Sequence, residues 1–136
     1  MSMQKFPPER IICLSEETVE TLYLLGEEQR IVGVTGYAVR PPEARKDKPR
    51  VSAFVSANVE KIISLEPDLV LTFSDLQAEI VQNLLKRGVT VMSYNQRNIR
   101  GIIAMIRHLG SMVGASDRAD KLACSYEQRL KGLAQQ

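Results

Sequence analysis

The chain has 136 residues, the size of one compact domain, and such a domain buries roughly two-thirds of the surface its unfolded chain exposes. Apolar residues make up 44% and charged residues 25%, and a net charge of +2 is too small for the concentrated basic face that nucleic acid demands. No apolar run reaches about 18 residues, so no membrane-spanning helix is expected.

Residues 1–9 read as an N-terminal tail. They hold no apolar stretch able to act as an export signal, so the chain as it stands is expected in the cytoplasm or as a product that has lost a leader. Ile11 to Leu14, after Arg10, is a short continuous apolar run, with Cys13 as a small core residue. Ser15 is a plausible N-cap, and Glu16 and Glu17 suit the first turn of a helix. That helix is expected over Thr18–Leu25, stopped by Gly26. Ile31 to Val34 forms a second strand, followed by Thr35-Gly36-Tyr37, Arg40 and the pair Pro41-Pro42.

Arg45, Lys46, Lys48 and Arg50 cluster in the next loop. No aromatic residue is interleaved with them, so they read as a solvated loop. A short segment over Val51–Phe54 precedes a helix from Asn58 to Leu65, with Val59, Ile62, Ile63 and Leu65 on its apolar side. Pro67-Asp68 introduces a strand over Leu69–Phe73. Ser74 caps a helix from Asp75 to Arg87, Val89 to Ser93 is a further strand, and Asn98 opens a helix to about Gly114. Ser116 caps a last helix, Asp117 to Leu133.

Five-residue strands alternating with longer helices predict an α/β fold, a three-layer α/β/α sandwich with a mainly parallel central sheet. The strands are apolar throughout, as burial on both faces requires. Ligands of open α/β sheets bind beyond the carboxyl ends of the strands. Here that edge should carry Ser15, Glu16, Tyr37, Phe54, Phe73 and Tyr94. With aromatic residues at only 5% of the chain, Tyr37, Phe54, Phe73 and Tyr94 place much of a scarce supply at one edge. Tyr37, between a glycine and the proline pair, is the one best placed to face a ligand, while Phe73 also serves the core. Ser15 and Ser74 are helix caps first and anion donors second.

Enzymatic motifs are absent. The first strand is followed by no G-x-G-x-x-G, and the chain holds no G-x-x-x-x-G-K-[ST] phosphate loop. The single histidine, His108, lies mid-helix, away from the loop edge, and with only Cys13 and Cys124 it builds no metal cluster. No resident cofactor or metal is expected.

The ordered stretches RIICLSEETVETLYLLG, RIVGVTGYAVRPPEA and RVSAFVSANVEKIISLEPDLVLTF resemble the N-terminal lobe of the cobalamin and ferric-siderophore solute-binding proteins of ABC importers. In that class one long helix joins two lobes. The similarity runs from residue 10 to about 133. It implies a lobe over 10–115, the start of the connecting helix over 116–136, and a C-terminal lobe lying outside the chain. The resemblance further implies capture of a corrinoid or an iron(III) chelate, siderophore or haem, as cargo, with an ABC permease and ATPase as partners and a periplasmic or cell-surface location. By the same resemblance Tyr37, Phe54 and Phe73 are cleft aromatics and Glu60 docks on permease arginines; Arg40, in the loop after the second strand, is expected to meet an anionic ligand edge. A homodimer of the isolated lobe is expected through Leu122, Leu130 and Leu133 of the last helix. The alternative from another class is a cytoplasmic α/β enzyme or scaffold domain, since fold does not fix function.

Overall fold

The computed structural model describes residues 5–53 and 56–134. Five strands, β1 (Ile11–Cys13), β2 (Ile31–Thr35), β3 (Arg50–Ser52), β4 (Leu69–Phe73) and β5 (Val91–Tyr94), form one sheet in the order β3-β2-β1-β4-β5. Every pairing is parallel. The helices are α1 (Glu16–Leu24), α2 (Ala44–Asp47), α3 (Val59–Ser64), α4 (Ala78–Lys86), α5 (Ile99–Met112) and α6 (Ser116–Ala134).

The side-chain alternation of β1 splits the core in two. Ile11 and Cys13 join one cluster with Val19 and Leu22 of α1, Leu109 of α5 and Ala119 and Ala123 of α6. Ile12 and Leu14 join the other, with Ile62 of α3 and Ile80 and Leu84 of α4. The sandwich expected from the sequence is therefore present, with helices on both faces.

Polar clamps fix the ends of these elements. One Asp68 carboxylate oxygen accepts from the main-chain N–H groups of Glu9 and Arg10, at 2.8 and 2.9 Å, and so fastens the chain as it enters β1. This gives the Pro67-Asp68 motif its physical reason. Asn58 and Asn98 cap α3 and α5, each accepting from the N–H three residues on. Arg118 reaches from α6 to the carbonyl of Leu25 and to Glu27, placing a cation at the C-terminus of α1.

Three expectations shift. The helix after β4 begins only at Ala78, because Asp75–Gln77 forms a 3-10 turn capped by Ser74. The strand expected over Val89–Ser93 moves to Val91–Tyr94. On α6, Leu122 and Leu130 pack partly against the core and Leu133 is 66% exposed, so the dimer face expected there rests on Leu133.

Helices α5 and α6 approach each other at Gly110, where an added Cβ would lie 2.1 Å from Cβ of Ala119. In a free helix Gly→Ala stabilises by about 0.5–1 kcal/mol. Here overpacking reverses the sign: Gly110→Ala is expected to destabilise by about 1–3 kcal/mol. Urea unfolding of the variant checks this, and a raised midpoint would refute the close approach.

Candidate functional site

The chain passes from β1 to β2 and β3 on one side, then crosses back to place β4 on the other. The crevice between the carboxyl ends of β1 and β4 is therefore the topological switch point of the sheet. A hollow of about 350 Å³ opens there, lined by Leu14, Ser15, Glu16, Glu17, Thr35, Tyr37 and Phe73.

Local structure explains how Tyr37 reaches it. The N–H of Gly36 donates to the carbonyl of Ser52 at 2.6 Å, and a Cβ on Gly36 would lie 3.1 Å from that oxygen. Ala38 is fully buried, and its N–H donates to the carbonyl of Thr35. Between these two anchors Tyr37 turns outward and is 56% exposed. Ser15 stands at the N-cap position of α1, but its hydroxyl lies 3.0 Å from that of Thr18 and makes no capping bond. The first-turn N–H groups of α1 are thus left without a side-chain cap, and Glu16 and Glu17 occupy that turn. Among the described residues no lysine or arginine lines the hollow.

Of the residues singled out in the sequence, Ser15, Glu16, Tyr37 and Phe73 meet at this hollow. Phe54 lies outside the described residues. Tyr94 does not line it: the side chain is 9% exposed, turned beneath α5, with its hydroxyl 2.6 Å from Nδ1 of His108. Burial pushes its phenol pKa up, so the phenol keeps its proton, and the direction of this bond follows the imidazole tautomer. His108 is therefore a partner of Tyr94 on the outer face of α5. Arg40 lies apart from Tyr37, in a separate groove beside α1 with Glu20, Glu28 and Glu43. Glu60 is exposed on α3, but its carboxylate is engaged in a fork by Arg87, at 2.7 and 3.4 Å. The guanidinium of Arg87 holds the Glu60 carboxyl below its ordinary range.

Sequence reasoning missed Gln77, which is fully buried and bonded to two residues that line the hollow. Its carboxamide oxygen accepts from the N–H of Phe73 at 2.8 Å, and its amide nitrogen donates to the carbonyl of Leu14 at 2.9 Å. A glutamine within a polar turn carries no sequence signal of such a role. Among the described residues no group of three or more His, Cys, Asp or Glu is arranged to hold a metal ion.

The family model for periplasmic binding proteins matches residues 11–136. An uncharacterized ABC transporter substrate-binding lipoprotein of Bacillus subtilis is 33% identical over 133 residues, covering 95% of this chain and 42% of the relative. The vitamin B12-binding protein of Vibrio cholerae is 30% identical over 132 residues, covering 96% of this chain and 48% of the relative. Among solved structures, the periplasmic vitamin B12-binding protein of Vibrio cholerae superposes with a TM-score of 0.84 at 28% identity, over 95% of this chain and 51% of that one. A periplasmic haem-binding protein from Pseudomonas aeruginosa reaches a TM-score of 0.84 at 24% identity, over 94% and 46%, and shares the fold. The chain spans about half the length of the relatives it matches.

Cys13 is fully buried in the core, and burial pushes its thiol up to about 12, against a smaller opposing hydrogen bond with Thr18. Cys124 is exposed on α6. The thiolate is the reactive form. A disulfide reagent at pH 8 is therefore expected to label Cys124 in the native chain, and Cys13 only after denaturation. Rapid native labelling of Cys13 would refute its burial.

Proposed function

The chain belongs to the periplasmic binding protein family, and we propose on that premise that it supplies one lobe of the substrate-binding component of an ABC importer. Outside the cytoplasmic membrane, the hollow at the switch point holds one side of the cargo, a second lobe of the same protein holds the other, and an ABC permease with its ATPase receives it. Tyr37 and Phe73 supply flat contact area, and Ser15, Glu16 and Glu17 supply the polar rim. The protein performs capture and delivery, with no chemical step on the cargo.

The observation that carries a cargo class is the charge of the rim. Two carboxylates face the hollow, and no lysine or arginine lines it among the described residues. An ionised carboxylate only accepts hydrogen bonds. It suits a cargo whose edge carries N–H donors, as the peripheral carboxamides of a corrinoid do. It opposes the propionates of haem and the anionic edge of a ferric catecholate by like charge. The reading for this lobe is therefore a corrinoid.

In the full-length protein, titration with cobinamide, cyanocobalamin, haem and ferric siderophores, followed by calorimetry, is expected to show saturable binding of the corrinoids first. Tighter binding of haem or a catecholate chelate would overturn the cargo class, and binding of none would overturn the transport reading. Tyr37→Ala is expected to weaken corrinoid binding about tenfold, the scale of one buried aromatic face; an unchanged dissociation constant would remove Tyr37 from the site. For docking, we propose that Glu60 meets a basic surface of the permease. Glu60→Lys should leave corrinoid affinity intact and reduce uptake, and equal uptake would refute that contact.

A further inference from the structure

The ladder between β1 and β4 runs Ile11↔Leu69, Ile12↔Val70, Cys13↔Leu71. It continues through the N–H of Leu14, which donates to the carbonyl of Leu71 at 2.8 Å. The next rung of a parallel ladder would run from the N–H of Phe73 to the carbonyl of Leu14. Those two groups are instead joined through the carboxamide of Gln77, oxygen to the Phe73 N–H and nitrogen to the Leu14 carbonyl. On the other edge of β4 the ladder stays closed, since the N–H of Ser74 donates to the carbonyl of Tyr94 at 2.8 Å.

We propose that the Gln77 carboxamide is spliced into the β1–β4 ladder as a positioning device, holding the carboxyl ends of the two strands one amide apart and so setting the width of the ligand crevice between Leu14 and Phe73. The inference rests on the reading of the hollow as the ligand site.

Three features support it. Leu14 and Phe73, the two residues joined by the splice, are both lining residues of the hollow. Gln77 is fully buried, where an amide is retained only if its hydrogen bonds are made. The turn that delivers it is forced: Ser74, a non-glycine residue, holds φ 64 and ψ 169, a conformation that costs energy and persists only where its surroundings fix it. The Ser74 hydroxyl accepts from the N–H of Leu76 and its carbonyl from the N–H of Gln77, so the strained residue and the splice brace each other.

The test uses Gln77→Glu and Gln77→Leu in the full-length protein, with cyanocobalamin as the probe and Tyr37→Ala as the control for the hollow. A neutral glutamic acid at 77 accepts from Phe73 and donates to Leu14, reproducing the splice. Burial raises its pKa, and once ionised it has no donor and repels the Leu14 carbonyl. Affinity of Gln77→Glu per folded molecule should match wild type at low pH and fall about tenfold or more as pH rises. The Phe73 amide NMR shift should titrate with it. Titratable groups on the surrounding elements, Cys13, Glu16, Glu17, Asp75, Glu79 and Tyr94, together with Arg97 paired to Asp75, are common to wild type, whose profile subtracts them. Gln77→Leu should weaken binding at every pH. Probe binding that is sensitive to Tyr37→Ala but flat with pH in Gln77→Glu overturns the inference, as does a Phe73 amide that does not titrate. Wild-type binding that ignores Tyr37→Ala, or no binding, overturns the reading of the hollow itself.

Discussion

The lobe depends on β1 being paired on both edges and covered on both faces. Ile11, Ile12, Cys13 and Leu14 are each fully buried, and they alternate between the two cores. No polar residue in this run would leave both helical layers intact. The same pairing creates the crevice: β2 and β4 flank β1, and the chain leaves toward opposite sides beyond its carboxyl end. Core and site are consequently one construction. Leu14 packs against the α3 and α4 face with its side chain, lines the hollow, and accepts from the Gln77 amide with its carbonyl. Anything that moves β4 relative to β1 moves Phe73 relative to Ser15 and Glu16.

Much of this was legible in the sequence, for a stated reason. Strands buried on both faces must be continuous apolar runs, and such runs bounded by Gly, Pro, Asp or Ser are the strongest strand signal. Leu69–Phe73 has the bounds the sequence predicts, and the helices expected to start at Asn58 and Asn98 do begin there, each with that asparagine as its N-cap. Position along the strand predicts Tyr94 at the hollow, but strand parity decides its side. It shares a face with Met92, and that face is covered by α5, so reaching the carboxyl edge did not bring the ring into the hollow. The late start of α4 was hidden because nothing in Ser-Asp-Leu-Gln announces a positive φ at Ser74. Gln77 was invisible because its role is a matter of ladder geometry, which appears only when two strands distant in sequence are set side by side.

Ligand identity lies at a different level from fold. Structures named for vitamin B12 and for haem superpose on this lobe with the same TM-score of 0.84, so the scaffold does not discriminate between those cargoes. Discrimination has to come from the few side chains on the rim, where the helix dipole also acts. Acidic residues in a first turn are stabilised by the N-terminal end of α1 whatever the ligand, so Glu16 and Glu17 have a purely structural use. That use does not require burial, however. Glu16 is exposed, whereas Glu17 is half-buried in the lining and carries no ion pair among the described residues. A fully solvated first-turn position would serve the dipole equally well, whereas Glu17 faces whatever enters the hollow. A donor group entering the hollow would give the Glu17 carboxylate a hydrogen-bond partner. The proposal of a donor-bearing cargo rests on that complementarity, beside the structural use that both carboxylates have at the helix N-terminus.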